Sequence, residues 1–135
     1  MKFFETSKQY SLKKSTYINL RWIGILGQLI SIYLVYFYFK FEFEFISSNL
    51  FILIGVLSNF YLLLIYKKTQ LSDKIAFIYL SIDILQLSGL IYLTGGIVNP
   101  FIIFLIIPSV FASSNLSLKT NLLIVCMTAL SIIFL

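Results

Sequence analysis

The sequence predicts an all-α membrane protein, an antiparallel bundle of transmembrane helices. Three observations carry this. Hydrophobic residues make up 60% of the chain and charged residues only 11%, well under the ~25% charge of a soluble domain. The apolar residues fall into five long runs, the first three close to the roughly 20 residues that cross a bilayer. The basic residues gather in alternate connections between those runs.

Residues 1–21 are polar and basic, with Lys2, Lys8, Lys13, Lys14 and Arg21, and read as a cytoplasmic tail. No small-residue cleavage site follows the first apolar run, so this is no signal peptide. Residues 22–135 read as a polytopic membrane domain with spans at about 22–39, 46–66, 75–93, 101–116 and 121–135. Between the first two, FKFEFEF (39–45) alternates Phe39, Phe41, Phe43 and Phe45 with Lys40, Glu42 and Glu44. That period predicts a short extended connection with rings in the interface and charges in water. Pro108 lies inside the fourth run, where its missing N–H predicts a kink.

Orientation follows from the loops. KKTQLSDK (67–74) carries Lys67, Lys68 and Lys74, and NLSLKT (115–120) carries Lys119. KFEFEF sets one lysine against two glutamates, and TGGIVNPF (94–101) has no charge. Basic residues mark the cytoplasmic side. The N-terminus is therefore expected inside and residues 94–101 on the periplasmic side of a bacterial inner membrane. The fifth run reaches Leu135 without a charge or turn. It reads as part of an N-terminal piece of a longer protein, truncated before any effector domain.

Several functions are excluded. There is no histidine, hence no histidine ligand, general base or phospho-accepting histidine in this chain. No metal site and no catalytic residue is expected. Cys126 is the single cysteine, so no internal disulfide forms; within its apolar run it reads as a small packing residue. The net charge of +5 does not point to nucleic acid, because the cations flank apolar runs and make no continuous stripe.

Two places carry chemistry. Asp83 falls mid-span, where an ionised carboxylate costs about 2.5–3.5 kcal/mol. Helical spacing places Tyr79, Asp83, Gln86 and Leu90 on one face, which Gln28 and Asn59 could meet. Protonated, Asp83 could be satisfied by Gln86 or Asn59. This is either a polar site inside the bundle or interhelical bonding that sets register. The second place is TGGIVNPF. Gly95 or Gly96 suits a left-handed helix end, Asn99 an N-cap and Pro100 the first helical position. Free N–H groups of Phe101 and Ile102, the Asn99 amide and bare glycine backbone would form a donor cluster, with Phe101, Tyr92 and Phe104 nearby. Such a cluster suits a lipid-soluble ligand with carbonyls, such as a quinone.

GGIVNPF (95–101) resembles the GGxxNPF heptapeptide of the RegB/PrrB/ActS family of redox-responsive sensor histidine kinases. LRWIGILGQL (20–29) is similar to that family's entry into its first span, and DILQLSGLIYLTGG (83–96) to its third. The resemblance covers roughly Leu20 to Leu135. It implies a six-helix sensor domain, of which four spans and most of a fifth are here. It implies ubiquinone as the sensed ligand, at Gly95, Gly96, Asn99, Pro100 and Phe101, with Asp83 and Gln86 behind. It also implies a homodimer and a cytoplasmic transmitter, absent from this chain, that uses ATP and addresses a response regulator. The family's redox-active cysteine lies in the cytoplasmic part, so Cys126 does not inherit that role. A small transporter or channel subunit using Asp83 is the alternative reading. A lipid-directed membrane enzyme is a third, weakened by the lack of histidine and of clustered acids.

Overall fold

The computed structural model describes residues 12–135. Its architecture is all-α apart from one two-residue strand pair. In order come β1 (Leu12–Lys13), α1 (Lys14–Tyr33), α2 (Phe45–Leu64), β2 (Gln70–Leu71), α3 (Asp73–Leu93), α4 (Ile106–Asn115) and α5 (Leu118–Phe134). A π-helical turn, Leu34–Tyr38, closes α1, and 3-10 segments Gly96–Val98 and Pro100–Leu105 lead into α4. Three of these helices are long and apolar enough to cross a membrane: Lys14–Tyr38, Phe45–Leu64 and Asp73–Leu93. Pro100–Asn115 and Leu118–Phe134 are shorter apolar helices.

α3 is the central element. It packs on α2, which carries α1, and on α5, which carries α4. Its apolar residues Ala76, Leu80, Ile84, Leu90 and Ile91 are all buried. One core joins Leu62, Ile84, Leu105, Ala112 and Ile124. A second core joins Ile25, Ile32, Ile52 and Leu90 nearer the other end. Outward-facing residues remain apolar: Ile23, Ile30, Ile46 and Leu64 are exposed, as a surface solvated by hydrocarbon requires.

The lysine-rich end is tied by polar bonds. Leu12 pairs with Leu71 and Lys13 with Gln70 in antiparallel register. The Lys14 ammonium donates to the carbonyls of Tyr66 and Leu63, closing the C-terminal end of α2 where cations are favoured. Ser72 caps α3 through the Ile75 N–H. Asp73 accepts from the Ser117 N–H at 2.9 Å, the Ser117 hydroxyl at 2.8 Å and the Thr120 hydroxyl. An acid on α3 thereby caps α5.

Four expectations are corrected. α1 begins at Lys14, not Trp22, so the expected tail is helical from Lys14 to Arg21; residues 1–11 lie outside the described residues. FKFEFEF is not extended, because Lys40 takes φ 54° and breaks the alternation. Phe39 stacks on Phe41 while Phe43 and Phe45 pack on the second core. Pro108 lies in the first turn of α4, where its missing N–H is tolerated. The irregularity there is a change from 3-10 to α geometry. Cys126 is exposed on α5, not packed inside.

The α2–α3 contact depends on Gly89. A Cβ there would lie 2.2 Å from Cε1 of Phe51. Gly89→Ala is therefore expected to destabilise the bundle by about 1–3 kcal/mol, despite the gain in helix propensity. Thermal unfolding in detergent should show a lower midpoint, restored in part by Phe51→Leu.

Candidate functional site

α1 and α3 run in the same direction and present matched polar stripes. On α1, Tyr17, Arg21, Gly24, Gln28 and Ser31 recur every three or four residues and so share one face. On α3 the stripe is Tyr79, Asp83, Gln86 and Leu90. The two stripes are bridged twice.

The first bridge is an ion pair. Arg21 Nη2 and Nε donate to Asp83 Oδ1 at 2.7 and 3.0 Å. The Tyr17 hydroxyl donates to Asp83 Oδ2. The Arg21 guanidinium is completed by Ser58 Oγ at 2.5 Å and Asn59 Oδ1 at 3.4 Å, both on α2. It lies over the rings of Tyr17 and Tyr79, 5.5 and 5.6 Å from their centroids. The Asn59 amide donates in turn to the Ile18 carbonyl. Arg21 is buried at 7% exposure and Asn59 at 0%. The sequence reading placed Arg21 in the tail and satisfied Asp83 with Gln86 or Asn59. The structure instead gives Asp83 to Arg21 and Tyr17.

The second bridge is an amide pair. Gln86 Nε2 donates to Gln28 Oε1 at 2.9 Å. Gly55 on α2 lies alongside it: a Cβ there would sit in ordinary van der Waals contact, 3.6 Å from Cδ of Gln86.

Between α1 and the Pro100–Asn115 arm lies a groove, open on one side. It consists of two adjoining hollows of about 430 and 310 Å³ that share Gln28, Ser31, Leu87 and Phe101. The larger reaches Arg21, Asp83 and Gln86, with Phe104 and Pro108 opposite. The smaller reaches Gly95, Asn99 and Pro100. One groove thus joins the polar centre to the GGIVNPF loop. Tyr17 and Phe111 approach at the lysine-rich end, with ring centroids 6.3 Å apart. Gly24 and Gly27 form the α1 wall, and a Cβ on either would meet nothing within 4 Å.

The loop has the glycine turn, the Asn99 cap and the Pro100 start that the sequence predicts. Gly95 and Gly96 take φ 128° and 59°, so both occupy conformations that favour glycine. The Asn99 side chain accepts from the Phe101 N–H at 2.9 Å and donates to Thr94 Oγ1 at 2.7 Å and to the Thr94 carbonyl at 3.2 Å. The Ile102 N–H donates to the Asn99 carbonyl. Of the expected donors, the Phe101 and Ile102 N–H groups and the Asn99 amide are therefore spent inside the loop, and Asn99 is buried at 8% exposure. Gly95, Pro100 and Phe101 line the groove, but Gly96 faces away: a Cβ there would meet the Leu135 carbonyl. The Phe101 and Phe104 rings stack, 5.7 Å apart.

Paired charges inside a bundle of long apolar helices define a multi-span helical membrane protein. The chain is similar to the sensor histidine kinase RegB of Cereibacter sphaeroides, at 27% identity over 113 residues, or 81% of this chain and 24% of RegB. It spans about a quarter of that relative's length. No family model matches the chain, and no solved structure matches it.

Two outcomes follow from this geometry. Arg21→Met should cost about 3–5 kcal/mol by leaving Asp83 unpaired. Arg21→Met combined with Asp83→Leu should recover most of that loss, read as unfolding in detergent. Asn99→Ala should cost about 0.5–2 kcal/mol through the lost cap, with faster amide exchange at residues 94–102 and none at the Arg21–Asp83 centre.

Proposed function

We propose that this chain is the membrane input region of a redox-sensing histidine kinase, and that its groove takes a quinone, with ubiquinone as the type ligand. In this reading the bundle supplies four complete spans and most of a fifth out of six. The N-terminus is cytoplasmic and residues 94–101 lie on the periplasmic side. Lys13, Lys67, Lys68, Lys74 and Lys119 at one end and the uncharged loop at the other support that orientation. A transmitter outside this chain would use ATP, phosphorylate its own histidine and pass the phosphoryl group to a response regulator, in a homodimer.

The observation that carries the reading is the groove. It is open on one side and its walls are mostly apolar, with polar groups in the middle and the GGIVNPF turn at one end. A planar ring fits between α1 and the stacked Phe101–Phe104 pair, with its isoprenoid tail in lipid. The likeness to a sensor histidine kinase supports the same reading. Signalling needs the oxidised and reduced forms to bind unequally, since a ligand shifts a conformational equilibrium only through differential affinity. A change in the spacing of α1 and α4 is the natural response to occupancy.

The transporter reading is less well supported, because the intramembrane acid it relies on is held by Arg21 and Tyr17. The test is direct. The chain in lipid nanodiscs should bind a short-tailed ubiquinone saturably, and excess ubiquinone should displace it. Non-saturable partition equal to that of empty nanodiscs would overturn the proposal.

A further inference from the structure

The loop's Asn99 amide and its Phe101 and Ile102 N–H groups are spent, so a side-chain polar contact for a head group must come from elsewhere in the groove. The candidates are few. Arg21 and Asp83 are committed to each other and to Tyr17, Ser58 and Asn59. Ser31 donates to the Gly27 carbonyl. Asn99 is committed to Thr94 and Phe101. The amide pair is different. Gln86 gives one N–H to Gln28 Oε1, and no bond engages the Gln28 amide nitrogen or Gln86 Oε1 among the described residues. Gln86 is buried at 6% exposure, yet its oxygen is not among the sealed, unpaired polar atoms, which are Ser48 Oγ and Asn121 Oδ1. Both glutamines line the larger hollow. A nine-tenths-buried amide therefore keeps one unpaired group directed into a groove.

We infer that the Gln28–Gln86 pair is the head-group site, reading one oxygen of a lipid-soluble ring as a carbonyl or as a hydroxyl. This rests on the quinone reading above and moves the polar contact from the loop to the mid-bundle amides. The chemistry is simple. A pair of primary amides joined by one hydrogen bond keeps both a donor and an acceptor free. A quinone carbonyl only accepts and takes the free N–H. A quinol hydroxyl donates and takes the free C=O. Turning both amides exchanges which glutamine donates and which accepts, so the pair serves either form without moving the helices. The loop then acts as the rim of the groove, holding Phe101 against the ring. Gly24 and Gly27 provide the width: a Cβ at either position would meet nothing within 4 Å.

The test uses this chain in nanodiscs, titrated with short-tailed ubiquinone and with its quinol. Gln28→Met and Gln86→Met should each weaken binding about tenfold or more and change the quinone-to-quinol affinity ratio. A merely structural role would not move that ratio. Gly27→Leu should fill the groove and abolish binding of both forms while leaving the thermal midpoint unchanged. It thereby tests the place independently of any effect of the glutamines on folding. If the wild-type chain binds but none of the three substitutions alters affinity, the site is elsewhere and this inference fails while the quinone reading stands. The same holds if only Asn99→Ala abolishes binding. If the wild-type chain binds neither form saturably, both fail.

Discussion

The buried ion pair between Arg21 and Asp83 is the constraint on which the rest of the bundle depends. Hydrocarbon offers no water to an isolated charge, so each ion must find its counterion and enough hydrogen bonds to fill its remaining positions. Here that requirement draws in three helices. α1 supplies Arg21 and Tyr17, α3 supplies Asp83 and the Tyr79 ring, and α2 supplies Ser58 and Asn59. Only one rotational setting of α1 and α3 satisfies all of them. Gln28 meets Gln86 seven residues along α1 because that setting is already fixed. The apolar cores contribute packing, but leucine and isoleucine contacts would tolerate a rotated helix far better than a buried guanidinium would.

The helical class and the approximate positions of the helices were legible in the sequence because length and hydropathy are local properties. So was the α3 stripe, since Asp83 and Gln86 stand out among apolar neighbours. Arg21 was missed for a definable reason. It sits at the boundary of an apolar run, beside four tail lysines, and charge counting assigned it to water. The periodicity contained the signal: Tyr17, Arg21, Gly24, Gln28 and Ser31 form one face at helical spacing, in step with Tyr79, Asp83 and Gln86. Comparing stripes between helices finds a pair that reading each run separately does not.

The GGIVNPF loop shows the opposite failure. Each residue's preference was read correctly: glycines with positive φ, an N-cap asparagine, proline at the start of the next helix. What sequence could not show is whether those polar groups remain available. The same cap that starts the Pro100 helix consumes the Phe101 N–H, and the same amide holds Thr94. Good local structure and free donors compete for the same atoms.

The open side of the groove carries a further consequence if the groove takes a quinone as proposed. In that proposal the molecule enters from between the helices, out of the bilayer and not the aqueous phase. Occupancy is then governed by mole fraction among the lipids. Cell volume, and solubility in water, drop out of the balance. On the proposed quinone reading, a membrane that dilutes its redox carriers with new lipid would empty the site without any change in their oxidation state.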